Sequence, residues 1–333
     1  MILDLVGYGA FFLATALTYG IICLGLNVQW GQTGLFNVGV AGFVAIGAYT
    51  SALLTTPDTP GRFGGFDMPI VVGWLAAMAV AGLAALIVGA ATLRLRADYL
   101  AITTFGVAIS IQLVALNVQS LTGGPFGIAF IPRPFAALQG DSLLFNLANF
   151  LLIAVVALLV FLGLERLVRG PWGRVLRAIR EDEAAAASLG KNARAYRLQA
   201  FVLGGAIMGL AGAMQGHFIG FIAPDNYLSA LTFQVWAMLI VGGSGNNRGA
   251  LVGAVVVWGV WSASSALTAA VFPPEDQARA AALQIVMIGV LLAVILVWRP
   301  RGLLGEAATV SRFVTGSRSG GTGAERRPDR AAG

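Results

Sequence analysis

The sequence predicts an all-α, multi-pass membrane protein, and three observations support this fold class. Hydrophobic residues make up 58% of the 333 residues and charged residues only 11%, whereas soluble domains carry about 25% charged residues. The apolar residues form runs long enough for a helix to cross the hydrocarbon core, which takes about 20 residues. The basic residues lie between these runs. A lipid solvent accounts for all three features, because so apolar a chain in water would expose large hydrophobic patches.

Nine membrane-crossing helices are predicted, because only helices and closed barrels satisfy their backbone polar groups in hydrocarbon. The predicted spans are residues 8–26, 35–54, 69–93, 99–119, 143–164, 198–222, 229–243, 250–271 and 281–298. The seventh run is short and ends in glycines at 242, 243 and 245. This run is therefore either a full span or a broken, half-crossing element, which is tolerated where protein or a cavity covers the backbone.

The distribution of basic residues predicts the orientation, because cytoplasmic loops hold the lysine and arginine excess. With the N-terminus outside and the C-terminus in the cytoplasm, 18 of the 21 basic residues fall on the inner side. The inner segments are 27–34, 94–98, 165–197, 244–249 and 299–333. Residues 1–304 are predicted to form one transmembrane domain, with a cytoplasmic segment at 165–197. Residues 305–333 are rich in glycine, serine and arginine, which is typical of a disordered cytoplasmic tail.

The residue inventory excludes several classes of function. Cys23 is the only cysteine, so neither an intramolecular disulfide nor a cysteine metal cluster can form, and no metal site is predicted. The basic residues are spread between the apolar runs and form no single patch for nucleic acid. A Walker loop needs Gly-x4-Gly-Lys-Ser/Thr, and the only lysine, Lys191, is followed by asparagine. The chain is therefore expected to bind no nucleotide or other cofactor itself.

Ionisable residues are missing from the interiors of the predicted spans, and this limits the energy source. Proton- and voltage-coupled proteins commonly place such groups within the membrane. The one candidate is His217, near the outer end of the sixth span, which is either an ordinary hydrogen-bonded or interfacial histidine or a substrate contact. Energy would come from sodium held by backbone oxygens, from a downhill gradient or from a separate ATPase. A stand-alone sodium-coupled or facilitative carrier is therefore an alternative at this stage.

The segment 165–197 contains a predicted short amphipathic helix. Apolar residues at 175, 176 and 179 fall on one side of this helix and charged residues at 174, 177 and 181 on the other. Arg177 and Glu181 are spaced to form an i,i+4 ion pair, and Gly190 lies where a helix C-cap is expected. On composition alone, such a helix fits the surface of a membrane that contains anionic lipid.

The same segment carries a motif that resembles a known family. The spaced pattern is matched by Gly173, Arg174, Ala178, Ile179, Arg180, Glu181, Glu183 and Gly190. This pattern is similar to the coupling loop of binding-protein-dependent ABC permeases, in particular the branched-chain amino acid subfamily. Further stretches resemble the same family, in the order of its M-type rather than its H-type subunit. They lie at 31–37, 43–50, 93–106, 121–128, 218–225 and 242–253.

The resemblance implies a heteromeric importer of the bacterial inner membrane. Its expected partners are ATPase subunits, which bind ATP, a second permease subunit, an extracytoplasmic solute-binding protein and membrane lipid. The expected substrates are branched-chain amino acids or related small polar solutes such as urea and amides. The resemblance assigns ATPase coupling to Arg174, Arg177, Ala178, Arg180, Glu181, Glu183 and Gly190.

A zwitterionic solute that crosses lipid needs dipoles for both of its charged ends, and half-helix termini can supply them without buried ions. The predicted pathway residues therefore combine polar side chains in the spans with glycine-rich runs. They are Asn37, Tyr49, Thr103, Thr104, Gln112, Asn117, Thr122, Gly123, Gly124 and His217. The competing interpretation is that small residues pack helices closely and that hydroxyl groups bond their own helix. Glycines at 204, 205, 209 and 212 are assigned to packing.

Overall fold

The computed structural model describes residues 2–273 and 302–305, together with scattered positions from 276 to 298. Its helices are α1 (Ile2–Thr33), α2 (Val40–Thr55), α3 (Ile70–Thr92), α4 (Ala97–Asn117), α5 (Gln119–Thr122), α6 (Ser142–Arg169), α7 (Pro171–Glu181), α8 (Glu183–Ser188), α9 (Ala193–Ile219), α10 (Ser229–Gly242) and α11 (Asn247–Val271). The two-residue strands β1 (Ile128–Ala129) and β2 (Phe221–Ile222) pair antiparallel. Short 3-10 turns cover Gly124–Phe126, Ala136–Leu138 and Pro224–Tyr227. The predicted all-α class is confirmed for the described residues.

The count of full crossings differs from the prediction. Within the described residues, six helices have the length and apolar composition to cross a membrane: α1, α3, α4, α6, α9 and α11. The apolar helices α2 and α10 have 16 and 14 residues, which at about 1.5 Å per residue is less than the roughly 30 Å of hydrocarbon. The predicted span 35–54 is shortened because residues 34–39 are not helical. The predicted tail beyond residue 305 lies outside the described residues. So does the predicted span 281–298, except for the scattered positions named above.

Counted together with the short apolar helices α2 and α10, the successive helices of the bundle run in alternating directions between its two ends. We call these the α7–α8 end and the β1–β2 end, after the elements that lie there. Helix α1 starts near the β1–β2 end, where the ring centroids of Phe11 and Phe218 are 5.2 Å apart. It ends at the α7–α8 end, where Gln32 contacts Arg177. The segment 302–305 also lies at the α7–α8 end, because the Leu303 N–H donates to the carbonyl at the end of α10.

Helices α1 and α9 form the centre of the bundle. In each of them 67% of the most apolar window is buried, against 22–28% in the other four long helices. Glycine permits their close contact, since a Cβ at Gly204 would lie 2.6 Å from the Gly25 carbonyl oxygen. Likewise a Cβ at Gly47 of α2 would lie 2.0 Å from the Gly209 carbonyl oxygen of α9. The predicted packing role of Gly204 and Gly209 is therefore confirmed.

The two halves of the bundle follow the same order of elements. The long helices α1 and α9 are each followed by a left-handed glycine, Gly34 with φ 71° and Gly220 with φ 81°. A break, a short helix and a further long helix come next in both halves. The pair α2–α3 packs on α9, and the pair α10–α11 packs on α1. The short helices α2 and α10 contact one another, and the start of α2 is buried, whereas Leu228 and Ala230 at the start of α10 are exposed.

Candidate functional site

The α7–α8 segment is tied tightly to the bundle by its sequence. Helix α7 begins at Pro171, which suits the first helical position because a proline lacks the N–H that would be unpaired there. Gly173 lets α7 turn back on α6, since a Cβ there would lie 2.0 Å from the Val168 carbonyl oxygen. Leu176 and Ile179 are fully buried beneath α7. The predicted amphipathic character of this helix is confirmed.

The segment forms two helices and not the single helix that was predicted. Helix α7 ends at Asp182, whose carboxylate accepts the Ala185 N–H at 2.9 Å and so caps α8. Helix α8 ends in a Schellman motif: Gly190, with φ 76°, donates to the Ala187 carbonyl, and the Lys191 N–H donates to the Ala186 carbonyl. The expected capping role of Gly190 is confirmed.

Arg177 and Arg180 of α7 donate hydrogen bonds to the end of α1. Arg177 donates from Nη1 to the Gln32 Oε1 at 3.3 Å and to the Val168 carbonyl at 3.2 Å. Arg180 donates to the Gly31 carbonyl. The predicted Arg177–Glu181 pair is therefore wrong within the described structure, because tertiary acceptors at the end of α1 take the guanidinium.

The remaining predicted coupling residues face outward. Arg174, Ala178 and Glu181 are exposed, and Glu183 forms an ion pair with Arg197 of α9 at 2.7 Å. Leu189 is 80% exposed beside the α8 cap. Together these residues form a surface of mixed charge with one exposed leucine, which we call the α7–α8 face. Its composition suits protein contact better than contact with hydrocarbon.

Beneath α7 lies a buried amide network that the sequence analysis did not single out. The Gln32 Nε2 donates to the Gly245 carbonyl at 2.9 Å, and the Gly245 N–H donates to the Asn27 Oδ1 at 2.8 Å. Asn27 also donates to the Asn247 Oδ1 at 2.9 Å, and Asn247 donates to the Glu165 Oε2 at 3.0 Å. We call Asn27, Gln32, Gly245 and Asn247 the amide clasp.

A sequence signal for the clasp was available. Three amide side chains, Asn27, Gln29 and Gln32, fall within six residues of an otherwise apolar helix. All three are fully buried. Buried amides inside a membrane helix require partners, so this cluster indicates a contact site even though its partners cannot be read from spacing.

A second buried network surrounds the break between α1 and α2, where Asn37 lies. Asn37 is fully buried and donates from Nδ2 to the Gln29 Oε1 at 2.7 Å. Its Oδ1 accepts the Gly39 N–H at 2.7 Å, and its carbonyl accepts the Trp236 Nε1–H at 3.0 Å. The break is thus held in one conformation from α1 on one side and from α10 on the other.

The N–H groups around the start of α2 are satisfied by two threonine hydroxyls from other helices. The Val38 N–H donates to the Thr104 Oγ1 of α4 at 3.1 Å, and the Ala41 N–H donates to the Thr232 Oγ1 of α10 at 3.0 Å. This helix start is therefore closed in the described conformation. A carboxylate can reach it only after these hydroxyls move away.

Gln112 lies close to this helix start. It lines a narrow crevice between α2, α4 and α10. The other lining residues are Ala41, Phe105, Ala108, Ile109, Tyr227, Ser229 and Thr232. The crevice thus combines apolar walls with an amide and hydroxyl groups.

His217 lies at the β1–β2 end and is fully hydrogen-bonded. Its Nδ1 is 2.7 Å from the Pro132 carbonyl, so Nδ1 carries a proton. In the neutral ring Nε2 then accepts from the Ser51 hydroxyl, which lies at 2.8 Å. The side chain is 1% exposed. Tyr49, also buried, lies on α2, and its ring centroid is 6.0 Å from that of Tyr227 with the two ring planes tilted by 60°.

The other predicted pathway residues are distributed over α4 and the loop that follows it. Thr103 and Asn117 bond carbonyls of their own helix, at Tyr99 and Leu113. Thr122 donates to the Ala115 and Val118 carbonyls. The glycines at 123 and 124 both have positive φ, and a Cβ at 123 would lie 2.0 Å from the carbonyl oxygen at 127. The structure thus groups Asn37, Thr104 and Gln112 around the start of α2.

Comparison with known proteins places these features in context. Residues 9–296 match the family model described as branched-chain amino acid transport system / permease component. The chain is 32% identical to the high-affinity branched-chain amino acid transport system permease protein LivM of Escherichia coli K12, covering 95% of the chain and 75% of that protein. It is 27% identical to LivH of the same strain, with 87% and 92% covered. It is 29% identical to the guanosine ABC transporter permease protein NupQ of Bacillus subtilis 168, with 72% of each covered. No solved structure matches the chain at a significant level.

Proposed function

Because the chain belongs to the family of branched-chain amino acid transport system permease components, we propose that it is the membrane-spanning subunit of an ATP-driven importer in the bacterial inner membrane. The proposed substrates are branched-chain amino acids or chemically related small solutes. A separate ATPase subunit hydrolyses ATP, and this chain performs no enzymatic reaction. The observation that carries the proposal is the 32% identity to a LivM permease over 95% of the chain.

The proposed docking site of the ATPase is the α7–α8 face. A surface helix that a partner must displace has to transmit force to the membrane helices, and α7 is fixed to α6 and α1 through the contacts of Gly173, Arg177 and Arg180. The exposed Arg174, Ala178 and Glu181 and the ion-paired Glu183 would face the partner. The partly exposed Glu183–Arg197 pair contributes little to stability by itself, which leaves its side chains free to exchange partners.

The proposed orientation has the α7–α8 end in the cytoplasm. Most basic residues of the described chain lie at this end, including those of α7 and both ends of the segment 165–197, as expected for cytoplasmic loops. The β1–β2 end then faces the extracytoplasmic solute-binding protein. Nine crossings, with α2 and α10 each spanning part of the bilayer thickness, remain our proposal for the topology.

The proposed solute pathway passes the start of α2. Its N–H groups offer the positive end of a helix dipole to a carboxylate, and the adjacent crevice offers apolar walls with the Gln112 amide. In the described conformation, the Thr104 and Thr232 hydroxyls accept hydrogen bonds from the Val38 and Ala41 N–H groups. The second permease subunit is proposed to complete the pathway.

Reconstitution tests the proposal directly. The permease is purified with its co-purifying ATPase and second permease subunits, inserted into proteoliposomes, and supplied with the solute-binding protein. Radiolabelled L-leucine is then measured inside the vesicles with ATP, without ATP and with a sodium gradient alone. We expect uptake only with ATP. Accumulation of L-leucine by the single chain, driven by sodium without nucleotide, would establish the stand-alone carrier instead.

Competition defines the substrate class in the same assay. Because one relative is named as a guanosine permease, unlabelled guanosine and urea are added alongside L-isoleucine and L-valine. We expect competition from the two branched-chain amino acids. Competition from guanosine alone would keep the importer mechanism and replace the substrate.

A further inference from the structure

Two arginine side chains connect α7 to the end of α1. Arg177 bonds the Gln32 side chain, and Arg180 bonds the Gly31 carbonyl. Both acceptors lie in the last turn of α1. Any displacement of α7 therefore acts first on this turn, which is the last helical turn before the break at residues 34–39.

The end of α1 also binds the connection between α10 and α11, at the backbone of Gly245. The two polar groups of the Gly245 backbone are bonded by α1, its carbonyl by Gln32 and its N–H by Asn27. The opposite side of the clasp is fixed to α6, through Asn247 and Glu165. Gln32 thus joins Arg177 of α7 to the α10–α11 connection.

The packing of the clasp leaves little room for independent motion. A Cβ at Gly31 would lie 2.1 Å from the Asn27 Oδ1 and 2.5 Å from the Gly245 nitrogen. Gly245 itself has a φ of 88°, in the left-handed region that favours glycine. Bonds between buried amides are strengthened by the low dielectric of the interior. The end of α1 and residue 245 therefore move together.

Helix α10 continues this connection to the start of α2. Trp236 donates to the Asn37 carbonyl, and Thr232 accepts the Ala41 N–H. A shift of α10 along its axis breaks both bonds. It thereby uncovers the Asn37 carbonyl and the Ala41 N–H at the start of α2, beside the crevice that Gln112 lines.

We infer that the amide clasp transmits movement of the coupling helix α7 to α10, and that Gln32 is the positioning residue in this step. ATPase engagement displaces α7, Arg177 moves Gln32, and Gln32 moves the α10–α11 connection with α10. The start of α2 then opens toward the solute. This inference rests on the proposed function, since it requires an ATPase at the α7–α8 face.

The decisive variant is Gln32→Met, which keeps the length of the side chain and removes both bonds. The matched control is Asn149→Leu, because Asn149 is an equally buried amide that bonds only the Phe145 carbonyl of its own helix. Both variants are studied in the full complex. The first readout is the ratio of L-leucine uptake to ATP hydrolysis in proteoliposomes. The second is deuterium uptake of a peptide covering residues 243–248, with and without a non-hydrolysable ATP analogue.

We expect Gln32→Met to lower the ratio of uptake to hydrolysis about tenfold, since two bonds of buried groups are lost. We also expect it to abolish the change in deuterium uptake that the ATP analogue causes in wild type. Asn149→Leu is expected to leave both readouts at the wild-type level. A Gln32→Met complex with the wild-type ratio and the wild-type deuterium response overturns the inference. A proportional loss of uptake and hydrolysis also overturns it, because the clasp would then serve assembly alone.

A milder variant covers the case in which Gln32→Met does not assemble. Gln32→Glu keeps the acceptor for Arg177 and loses the donor to the Gly245 carbonyl, so it is expected to show the same loss of coupling. Wild-type coupling in Gln32→Glu would overturn the inference. The wild-type complex distinguishes failure of the proposed function from failure of the clasp inference. If it shows the deuterium response but no ATP-driven uptake of L-leucine, the proposed substrate is contradicted and the clasp inference stands. Wild type without any deuterium response contradicts the clasp.

Discussion

Thr104 and Thr103 are adjacent on α4 and provide a matched pair for testing the closed start of α2. Thr104 is 1% exposed, and its hydroxyl accepts the Val38 N–H at 3.1 Å while donating to the Ala101 carbonyl at 3.1 Å. The Thr103 hydroxyl bonds only the Tyr99 carbonyl of its own helix. Replacing each by valine removes one hydroxyl and keeps the shape of the side chain.

The two variants are expected to differ in stability. In Thr104→Val the Val38 N–H loses its partner in a buried position, and an unsatisfied buried group costs about 1–3 kcal/mol. In Thr103→Val no N–H is left unpaired, because the lost bond ran to a carbonyl that the helix already engages. A substitution of that kind usually changes the free energy of unfolding by about 0.5 kcal/mol or less.

Reversible unfolding in mixed micelles, by titration with a denaturing detergent, measures the two free energies side by side. L-leucine uptake is measured for the same preparations, and only Thr104→Val is expected to alter it. Equal free energies of unfolding for the two variants would refute the claim that a hydroxyl from α4 holds the start of α2. Unchanged uptake in Thr104→Val would separate this helix start from the solute pathway.

Three further predictions concern packing, the α7–α8 face and its cap. Gly47→Ala is expected to abolish the folded peak in fluorescence-detected size exclusion, because a Cβ there would lie 2.0 Å from a carbonyl oxygen of α9. The control Gly106→Ala is expected to keep the folded peak, since a Cβ at residue 106 would have nothing within 4 Å. Glu183→Arg is expected to weaken ATPase binding in a pull-down, because it breaks the ion pair with Arg197. The double variant Glu183→Arg, Arg197→Glu reverses the pair and is expected to restore binding. Failure of the double variant to restore it would indicate that Glu183 contacts the ATPase directly. Gly190→Ala is expected to lower ATPase binding and to reduce the free energy of unfolding by about 1 kcal/mol, because residue 190 has a left-handed φ. Gly190→Asn is expected to be tolerated, since asparagine also adopts this conformation at helix C-caps. Equal behaviour of the two variants would contradict the capping role.

The sequence predicted the class of protein, the amphipathic character of α7 and the cap at Gly190, because these depend on composition and short-range spacing. Apolar runs of helical length identify spans whatever their partners. The alternation of residues along α7 and the glycine at 190 are likewise local signals. These features are correct in the described structure.

The break before α2 was not predicted, because its residues are as apolar as a helix. Leu35, Phe36 and Val38 continue the hydrophobic run. The break is formed by Gly34 with its positive φ, together with hydrogen bonds that the Val38 and Ala41 N–H groups donate to the Thr104 and Thr232 hydroxyls. Such bonds join residues far apart in sequence, and no periodicity reports them.

The prediction that Arg177 pairs with Glu181 was wrong for a similar reason. An i,i+4 ion pair on an exposed helix is worth only about 0.2–0.5 kcal/mol. The acceptors at the end of α1 lie partly buried, where a charge-assisted hydrogen bond is stronger. Arg177 therefore bonds Gln32, which lies 145 residues away in the sequence.

The side chains that close the start of α2 are neutral, and this has a consequence for energetics. Threonine hydroxyls satisfy the Val38 and Ala41 N–H groups. The closed and open arrangements of this helix end therefore carry the same formal charge. Opening it moves no ion through the low-dielectric interior, so the electric potential across the bilayer does little work on this step.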